Sequence, residues 1–212
     1  MTTLILIAKE TVPGRVKTRL HPPLSLEQAA ELAAAALADT IATVASLPFS
    51  RRILCFDGSL LPPGAEAFEV VPQVSGGLDE RLAAVFDVCS GPTVLIGMDT
   101  PQLRPTDLAP VFGAWSDDDG PLDAWFGPAN DGGFWSLALA RPDGALLRGI
   151  PMSQDDTGAR QLERLHVAGL RVGALPMLTD VDTIADAEEV AELAPSSRFA
   201  AALTGFLTEV TR

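Results

Sequence analysis

Strand-like and helix-like segments alternate from one end of the chain to the other. This predicts an α/β fold with a mostly parallel central sheet and helices on both of its faces. Two near-continuous apolar runs support it, Leu4-Ile5-Leu6-Ile7-Ala8 and Thr93-Val94-Leu95-Ile96-Gly97. Strands of parallel sheets are buried on both faces and so lose the apolar–polar alternation of half-exposed strands. A third observation is Ser25-Leu26-Glu27-Gln28, a capping-box pattern that opens an Ala-rich helix running to about Leu47, straight after the first strand and its loop. At 212 residues, with no repeat, low-complexity stretch or linker, the chain is expected to form one domain over residues 1–212.

The other elements follow in order. Arg52 to Phe56 and Phe68 to Val71 read as strands on either side of a Pro/Gly loop. Gly76-Gly77 leads into a helix over about Leu78–Cys89, and Thr106 to Trp115 reads as another. Leu122 to Gly127 and Gly133 to Ala140 are strand-like, with Pro128-Ala129-Asn130-Asp131-Gly132 as the turn between them. Thr157 to Ala168 is predicted helical, with Asp155 and Asp156 as its caps, and Leu170 to Leu175 extended. Thr183 with Asp186 three residues on marks a helix N-terminus, and that helix runs to about Leu193. Phe199, Leu203, Phe206, Leu207 and Val210 fall at helical spacing, so the last segment should dock an apolar stripe on the body.

Composition narrows the function classes. Hydrophobic residues make up 47% and charged residues 20%, which excludes a disordered chain. A formal net charge of −13 argues against a broad surface for nucleic acid or anionic membrane. Cys55 and Cys89 have no CxxC or metal-ligand spacing and are expected to be free thiols. The opening residues lack the pattern of a signal peptide, and no run approaches the roughly 18 apolar residues of a membrane span. The expected location is cytoplasmic.

Against this acidic background the loop after the first strand stands out. Between Met1 and Leu24 four cations, Lys9, Arg15, Lys17 and Arg19, face one acid, Glu10. Salt screens charges over roughly 8 Å, so these neighbours outweigh distant surface acids and mark a local anion site, phosphate first of all. Gly14 follows Pro13 at the bend; Lys17 would act as a point charge and Arg19 as a bidentate grip. GxxxxGK[ST] is absent, so the loop is not a P-loop.

Ligands of open α/β sheets bind beyond the carboxyl ends of the strands. The loop after Ala8 and the turn Met98-Asp99-Thr100-Pro101 should therefore share one edge. A carboxylate beside bound phosphate is electrostatically sensible when a divalent cation lies between them, so Asp99 reads as a ligand of Mg²⁺ or Mn²⁺ as well as a plain turn former. In Asp180-Val181-Asp182-Thr183 one Asp would join the metal while the other caps or orients. Gly132 and Gly133 permit close backbone approach to a ligand. Phe134 reads as core, and Trp135 as either core or a stacking face for a sugar or base. Asp117 to Asp119 read as a solvated loop, and His21 and His166 are given no role.

Taken together, the motifs resemble the nucleotide-diphospho-sugar transferase superfamily with the GT-A fold, and most closely a bacterial family of small GT-A-like proteins. Its members open with Lys-x-Pro-x-Pro-Gly-x-Val-Lys-Thr-Arg-Leu, matched by Lys9 and by Pro13 to Leu20. A Gly-x-Asp-x-Pro turn matches Gly97 to Pro101. Gly-Pro-Ala-x-Asp-Gly-Gly-Tyr matches Gly127 to Gly133 with Phe134 in the last place, and a late Asp-Val-Asp-Thr matches Asp180 to Thr183. The chain departs from this pattern in three places. Phe134-Trp135 stands where tyrosines are usual, Leu78-Asp79-Glu80-Arg81 replaces Leu-Gly-Glu-Arg, and Met152-Ser153-Gln154 replaces a Trp-Ser/Thr-Thr pattern. The last two departures fall where an acceptor or sugar would bind.

The resemblance implies a single GT-A-like, Rossmann-type domain and a divalent-metal-dependent transferase using a nucleotide-activated donor, first of all an NDP-sugar, with a small-molecule acceptor. Lys9, Gly14, Arg15, Lys17, Thr18, Arg19 and Arg81 would serve the nucleotide and its phosphates. Asp99 with Asp180 or Asp182 would hold the metal. Asp131, Gly132, Gly133 and Trp135 would form the acceptor or sugar pocket, and Lys17, Asp99 and Asp131 would carry the chemistry. Two alternatives stay open. One is nucleotidyl transfer from an NTP to a small phosphate or phosphosugar with release of pyrophosphate, since pyrophosphorylases and the guanylyltransferases of deazaflavin-cofactor synthesis share the basic loop. The other is a nucleotide-binding module without catalysis.

Overall fold

β1 (Thr3–Lys9) runs between β2 (Arg51–Asp57) and β4 (Thr93–Gly97), parallel to both, with Ile5 opposite Ile53 on one side and Leu95 on the other. The structure is a computed structural model that describes residues 2–115 and 122–210. β3 (Glu69–Pro72) pairs with β2 at one edge; β5 (Ala124–Pro128), β6 (Phe134–Leu139) and β7 (Val172–Ala174) extend the other side. The order is β3-β2-β1-β4-β6-β5-β7, parallel throughout except for β6, which lies antiparallel to both β4 and β5. The α/β architecture with a mostly parallel sheet is as the alternating pattern predicts.

Helices cover both faces. α1 (Leu26–Ala45) and α3 (Ala109–Trp115) lie on one, where Leu37, Ile41, Val44 and Val111 meet Leu4, Leu6, Val94 and Ile96. α2 (Leu78–Asp87) and α4 (Thr157–Val167) lie on the other, with Leu82, Val85, Phe86 and Leu165 against Ile5, Ile53, Leu95 and Leu137. Successive residues of β1 thus enter opposite cores, which is why Leu4 to Leu6 are uniformly apolar. The capping box forms as expected: Gln28 N–H donates to Ser25 Oγ at 3.1 Å, and Ser25 N–H donates to Gln28 Oε1 at 2.9 Å.

α1 is buried on a second side. Ala29, Leu32 and Ala36 pack with Val190 of α5 (Ile184–Leu193) and with Phe199 and Leu203 of α6 (Arg198–Val210). The expected apolar stripe of the last helix docks here; the Val210 side chain is outside the described residues, as are Asp117 to Asp119.

Several boundaries shift for identifiable reasons. The predicted Thr106–Trp115 helix starts as a 3₁₀ turn at Pro105–Leu108 before becoming α3. β3 ends on Pro72, which an edge strand tolerates because no ladder bond is lost on its open side. Asp155 and Asp156 do not cap α4 with their side chains. Asp156 instead accepts from Arg160 Nε at 2.7 Å, and Thr157 Oγ1 accepts from Gln154 N–H while donating to Pro151 O. Cys55 and Cys89 are free, and burial pushes the Cys55 thiol up to about 11. Among the described residues no helix is long and apolar enough to cross a membrane.

Removing the Phe199 ring, 1% exposed, should leave a cavity between α1, α5 and α6. Phe199→Ala is expected to cost about 3–5 kcal/mol in urea unfolding, whereas Val167→Ala, at a position 79% exposed, should stay within about 0.5 kcal/mol.

Candidate active site

The carboxyl ends of β1 and β4 lie side by side, since Ile7 pairs with Gly97, and the loops that leave them frame a cleft of about 980 Å³. The strand order reverses its growth here: β2 and β3 build outward on one side of β1, and β4 on the other. A switch point of this kind opens a crevice that ligands use.

Two apolar side chains clip the cationic loop to α1. Val16, 2% exposed, packs on Ala30 and Ala33, and Leu20 enters the cluster containing Leu24 and Leu32. Between these anchors Lys17 adopts a left-handed backbone (φ 46°) that costs a non-glycine residue on the order of 1–2 kcal/mol, and Leu20 N–H bonds its carbonyl at 3.0 Å. The side chain is thereby turned to the cleft. On the opposite wall Val181, 1% exposed, points into the α1–α6 core, so its neighbours Asp180 and Asp182 present their carboxylates to the cleft. The capping role in this motif belongs to Thr183 and Asp186. Thr183 Oγ1 accepts from Asp186 N–H, and Asp186 Oδ2 accepts from the N–H groups of Thr183 and Asp182.

Lys17 Nζ sits among three carboxylates: 3.1 Å from Asp99 Oδ2, 3.4 Å from Asp180 Oδ1 and 3.5 Å from Asp182 Oδ1. Arg19 adds a bond to Asp182 Oδ2 at 2.8 Å. Carboxylate oxygens of Asp131, Asp180 and Asp182 lie within 4.8 Å of one another. Four carboxylates therefore share the space with two paired cations, leaving negative charge in excess. Burial and these neighbouring acids push the Asp180 carboxyl up to about 7, although Lys17 opposes the shift. Burial also works against the charge of Lys17, yet Asp99, Asp180 and Asp182 outweigh it and hold its pKa above the ordinary lysine value.

Hard oxygen ligands, with neither His nor Cys among them, suit Mg²⁺ or Mn²⁺ rather than a softer metal. The excess charge at these carboxylates is of the sign that a divalent ion would neutralise. By donor chemistry and by charge, Asp131, Asp180 and Asp182 fit the ion.

This grouping differs from the one read in the sequence. Asp131, expected on the acceptor side, lies with Asp180 and Asp182, because the β5–β6 turn holds it there. Its Oδ1 accepts from Gly133 N–H at 2.8 Å, and Asn130 Oδ1 accepts from Asp180 N–H at 3.0 Å, tying the two acidic segments together. Asp99, expected to lead the metal set, stands outside that trio, and the Lys17 ammonium holds it.

Lys9, Arg15, Thr18, Arg19, Arg81 and Gly133 line the cleft; Gly14 and Gly132 do not. Gly132 (φ +86°) makes its close approach to the protein itself, since a Cβ there would overlap Asp155 O, and its own carbonyl accepts from Gly158 N–H at 2.8 Å. Trp135 is wall rather than a free stacking face. It is 3% exposed, its ring packs over Gly127, and its indole N–H donates to Pro176 O at 2.9 Å. Phe134 is the more open of the pair and packs on Phe126.

Sequence reasoning passed over Gln73. Its amide donates to Ala8 O at 2.8 Å and Cys55 O at 3.2 Å, closing the ends of β1 and β2, while its Oε1 accepts from Arg81 Nη1 at 3.2 Å. Arg81 also donates to Gly76 O and Asp57 Oδ2, so much of its guanidinium is committed to the loop. A polar residue directly after a strand's carboxyl end was the available signal. Met152, Ser153, Gln154 and Asp155 complete the far wall.

Two consequences concern the protein without divalent ions, in the presence of a chelator. Asp180 binds its proton more tightly folded than unfolded, where its pKa returns to about 3.8, so stability should fall as pH rises from about 4 through about 7. Asp180→Asn should flatten that slope in urea titrations at several pH values. Lys17→Gln strands three carboxylates and should cost on the order of 3 kcal/mol in the same assay at pH 7.5.

Comparison with known proteins places the fold. A crystal structure from Desulfovibrio desulfuricans G20, named "putative nucleotide-diphospho-sugar transferase", superposes with a TM-score of 0.84 at 23% identity, covering 99% of this chain and 96% of that one. The CMP:2-keto-3-deoxy-manno-octonic acid synthetase complexed with CTP gives 0.57 at 15% identity, over 92% and 98%. Rv0371C of Mycobacterium tuberculosis H37Rv, solved as a complex with manganese, gives 0.52 at 20% identity, over 90% and 97%. At these identities the likeness establishes the fold. No curated protein matches the chain. With a GT-A-like nucleotide-diphospho-sugar transferase fold and a family match over residues 33–154, the chain belongs to the family described as "Uncharacterized protein conserved in bacteria (DUF2064)".

Proposed function

We propose that residues 1–212 act as a single GT-A-like domain catalysing divalent-metal-dependent transfer from a nucleotide-activated donor, with glycosyl transfer from an NDP-sugar to a small acceptor as the reaction. The observation that carries this reading is the Asp131–Asp180–Asp182 carboxylate group, with Lys17 beside it, at the switch point of a mostly parallel sheet. The fold shared with the D. desulfuricans protein and the manganese in the similarly folded mycobacterial complex support it.

Asp131, Asp180 and Asp182 would hold Mg²⁺ or Mn²⁺, which when bound supplies Lewis-acid stabilisation of charge on the diphosphate. Lys9, Arg15 and Arg19 line the cleft and would gather the phosphate oxygens, with Arg19 offering a planar fork. Lys17, fixed by the Val16 and Leu20 anchors, would stabilise the charge that develops on the leaving group; a preorganised donor of this kind is worth about 3–4 kcal/mol. Asp99 orients the Lys17 ammonium. Gly133 and the Met152–Asp155 loop border the space left for sugar and acceptor.

Nucleotidyl transfer is the second reading. The cations spread along one loop favour it, because a triphosphate would engage more of them than a diphosphate, and a CTP-bound synthetase shares the fold. A panel of NDPs and NTPs with Mg²⁺ or Mn²⁺ in thermal denaturation tests both. The correct nucleotide at a hundredfold excess over its dissociation constant should stabilise the protein by about 2.7 kcal/mol, and Asp182→Asn should abolish the metal-dependent part. No response to any nucleotide with either metal would remove the proposal. Pyrophosphate released from an NTP and a phosphosugar would replace glycosyl by nucleotidyl transfer.

A further inference from the structure

We propose that the Lys17 ammonium is a resident placeholder for the divalent ion. Metal binding displaces it from Asp180 and Asp182 and so delivers a cation toward the phosphates only when the metal is in place. This rests on the metal-dependent reading above and adds an order of events to it. Asp180 and Asp182 belong both to the three-carboxylate group and to the set around Lys17 Nζ, so ammonium and metal compete for the same oxygens. The two shared contacts are the longer ones, 3.4 and 3.5 Å, while the 3.1 Å contact goes to Asp99, which lies outside the three-carboxylate group. Asp99 can therefore retain Lys17 as a pivot while the other two carboxylates change partner.

The surroundings agree with this division. The side chain of Lys17 is only 9% exposed, and an ammonium so enclosed needs anionic partners to remain charged. A divalent ion entering beside a fixed ammonium would meet like-charge repulsion across a few ångströms, which a flexible four-carbon stem relieves by moving. The backbone does not need to move, because Val16 and Leu20 hold it on either side. Arg19 offers an internal contrast. It also touches Asp182, but its side chain is 75% exposed and it contacts neither Asp99 nor Asp180, so it contributes to the local field without occupying the site.

The sequence supplies a convenient probe, since Lys9 and Lys17 are its only lysines and Lys9 is exposed. In the wild-type protein, acetic anhydride followed by peptide mass spectrometry should label Lys17 far less than Lys9 in EDTA. Saturating Mn²⁺ should raise the Lys17-to-Lys9 ratio several-fold. In calorimetric titration with Mn²⁺ alone, Lys17→Gln should bind at least about tenfold more tightly than wild type, and Arg19→Gln should change affinity much less. An unchanged labelling ratio in a protein that binds Mn²⁺ overturns the placeholder. So does an equal gain from Arg19→Gln, which would reduce the effect to the general field. Failure of the wild-type protein to bind Mn²⁺ at all overturns the metal reading itself, and the placeholder with it. The labelling arm needs no variant, so it stands if Lys17→Gln does not fold.

Discussion

One ammonium ties together three parts of the chain that are far apart in sequence. Lys17 follows β1, Asp99 follows β4, and Asp180 and Asp182 precede α5; their meeting point at Nζ joins the three loops that frame the cleft. The contact is a compromise. Burial disfavours every charge in it, and the excess of carboxylates leaves Asp180 holding its proton up to about pH 7. Such a site is weakly stabilising at best for the folded protein.

The frame that tolerates this cost is apolar. β1 contributes Leu4 and Leu6 to one core and Ile5 to the other, and α1 is buried both against the sheet and against α5 and α6. The same packing supplies the site's precision. Val16 and Leu20, packed against α1, fix the backbone around Lys17, and Val181 in the α1–α6 core fixes the backbone between Asp180 and Asp182. Lys17, Asp180 and Asp182 are thus each positioned by an apolar neighbour adjacent in sequence that points the other way. In an extended segment that follows from alternation; in the loop after β1 it requires the left-handed turn at Lys17.

One wall of the cleft is built from backbone. Gly132 has no room for a side chain against Asp155 O, and Gly158 N–H bonds Gly132 O, so the β5–β6 turn and the start of α4 form one wall. Departures from the family pattern at Met152 to Gln154 fall on this wall, whereas the basic and acidic elements of the opposite side keep the pattern.

Much of this was legible in the chain as written. Uniform apolar runs marked the central strands, the Ser25–Gln28 and Thr183–Asp186 boxes marked helix starts, and the carboxyl-end rule brought the Lys17 loop and Asp99 to one edge. These features are local, set by periodicity, by side chain-to-backbone bonds within four residues and by the direction of parallel strands. Grouping among the four aspartates was not legible, because Asp99, Asp131 and the Asp180–Asp182 pair lie on three separate loops whose meeting in space is not written in their order along the chain. Nor was the burial of Trp135, which an indole bond to Pro176 O and the absence of a side chain on Gly127 decide. The sequence by itself determined the architecture and the cast of charged residues. Only the tertiary structure decided which carboxylates share a cation, since charges interact through distance and burial rather than through order along the chain.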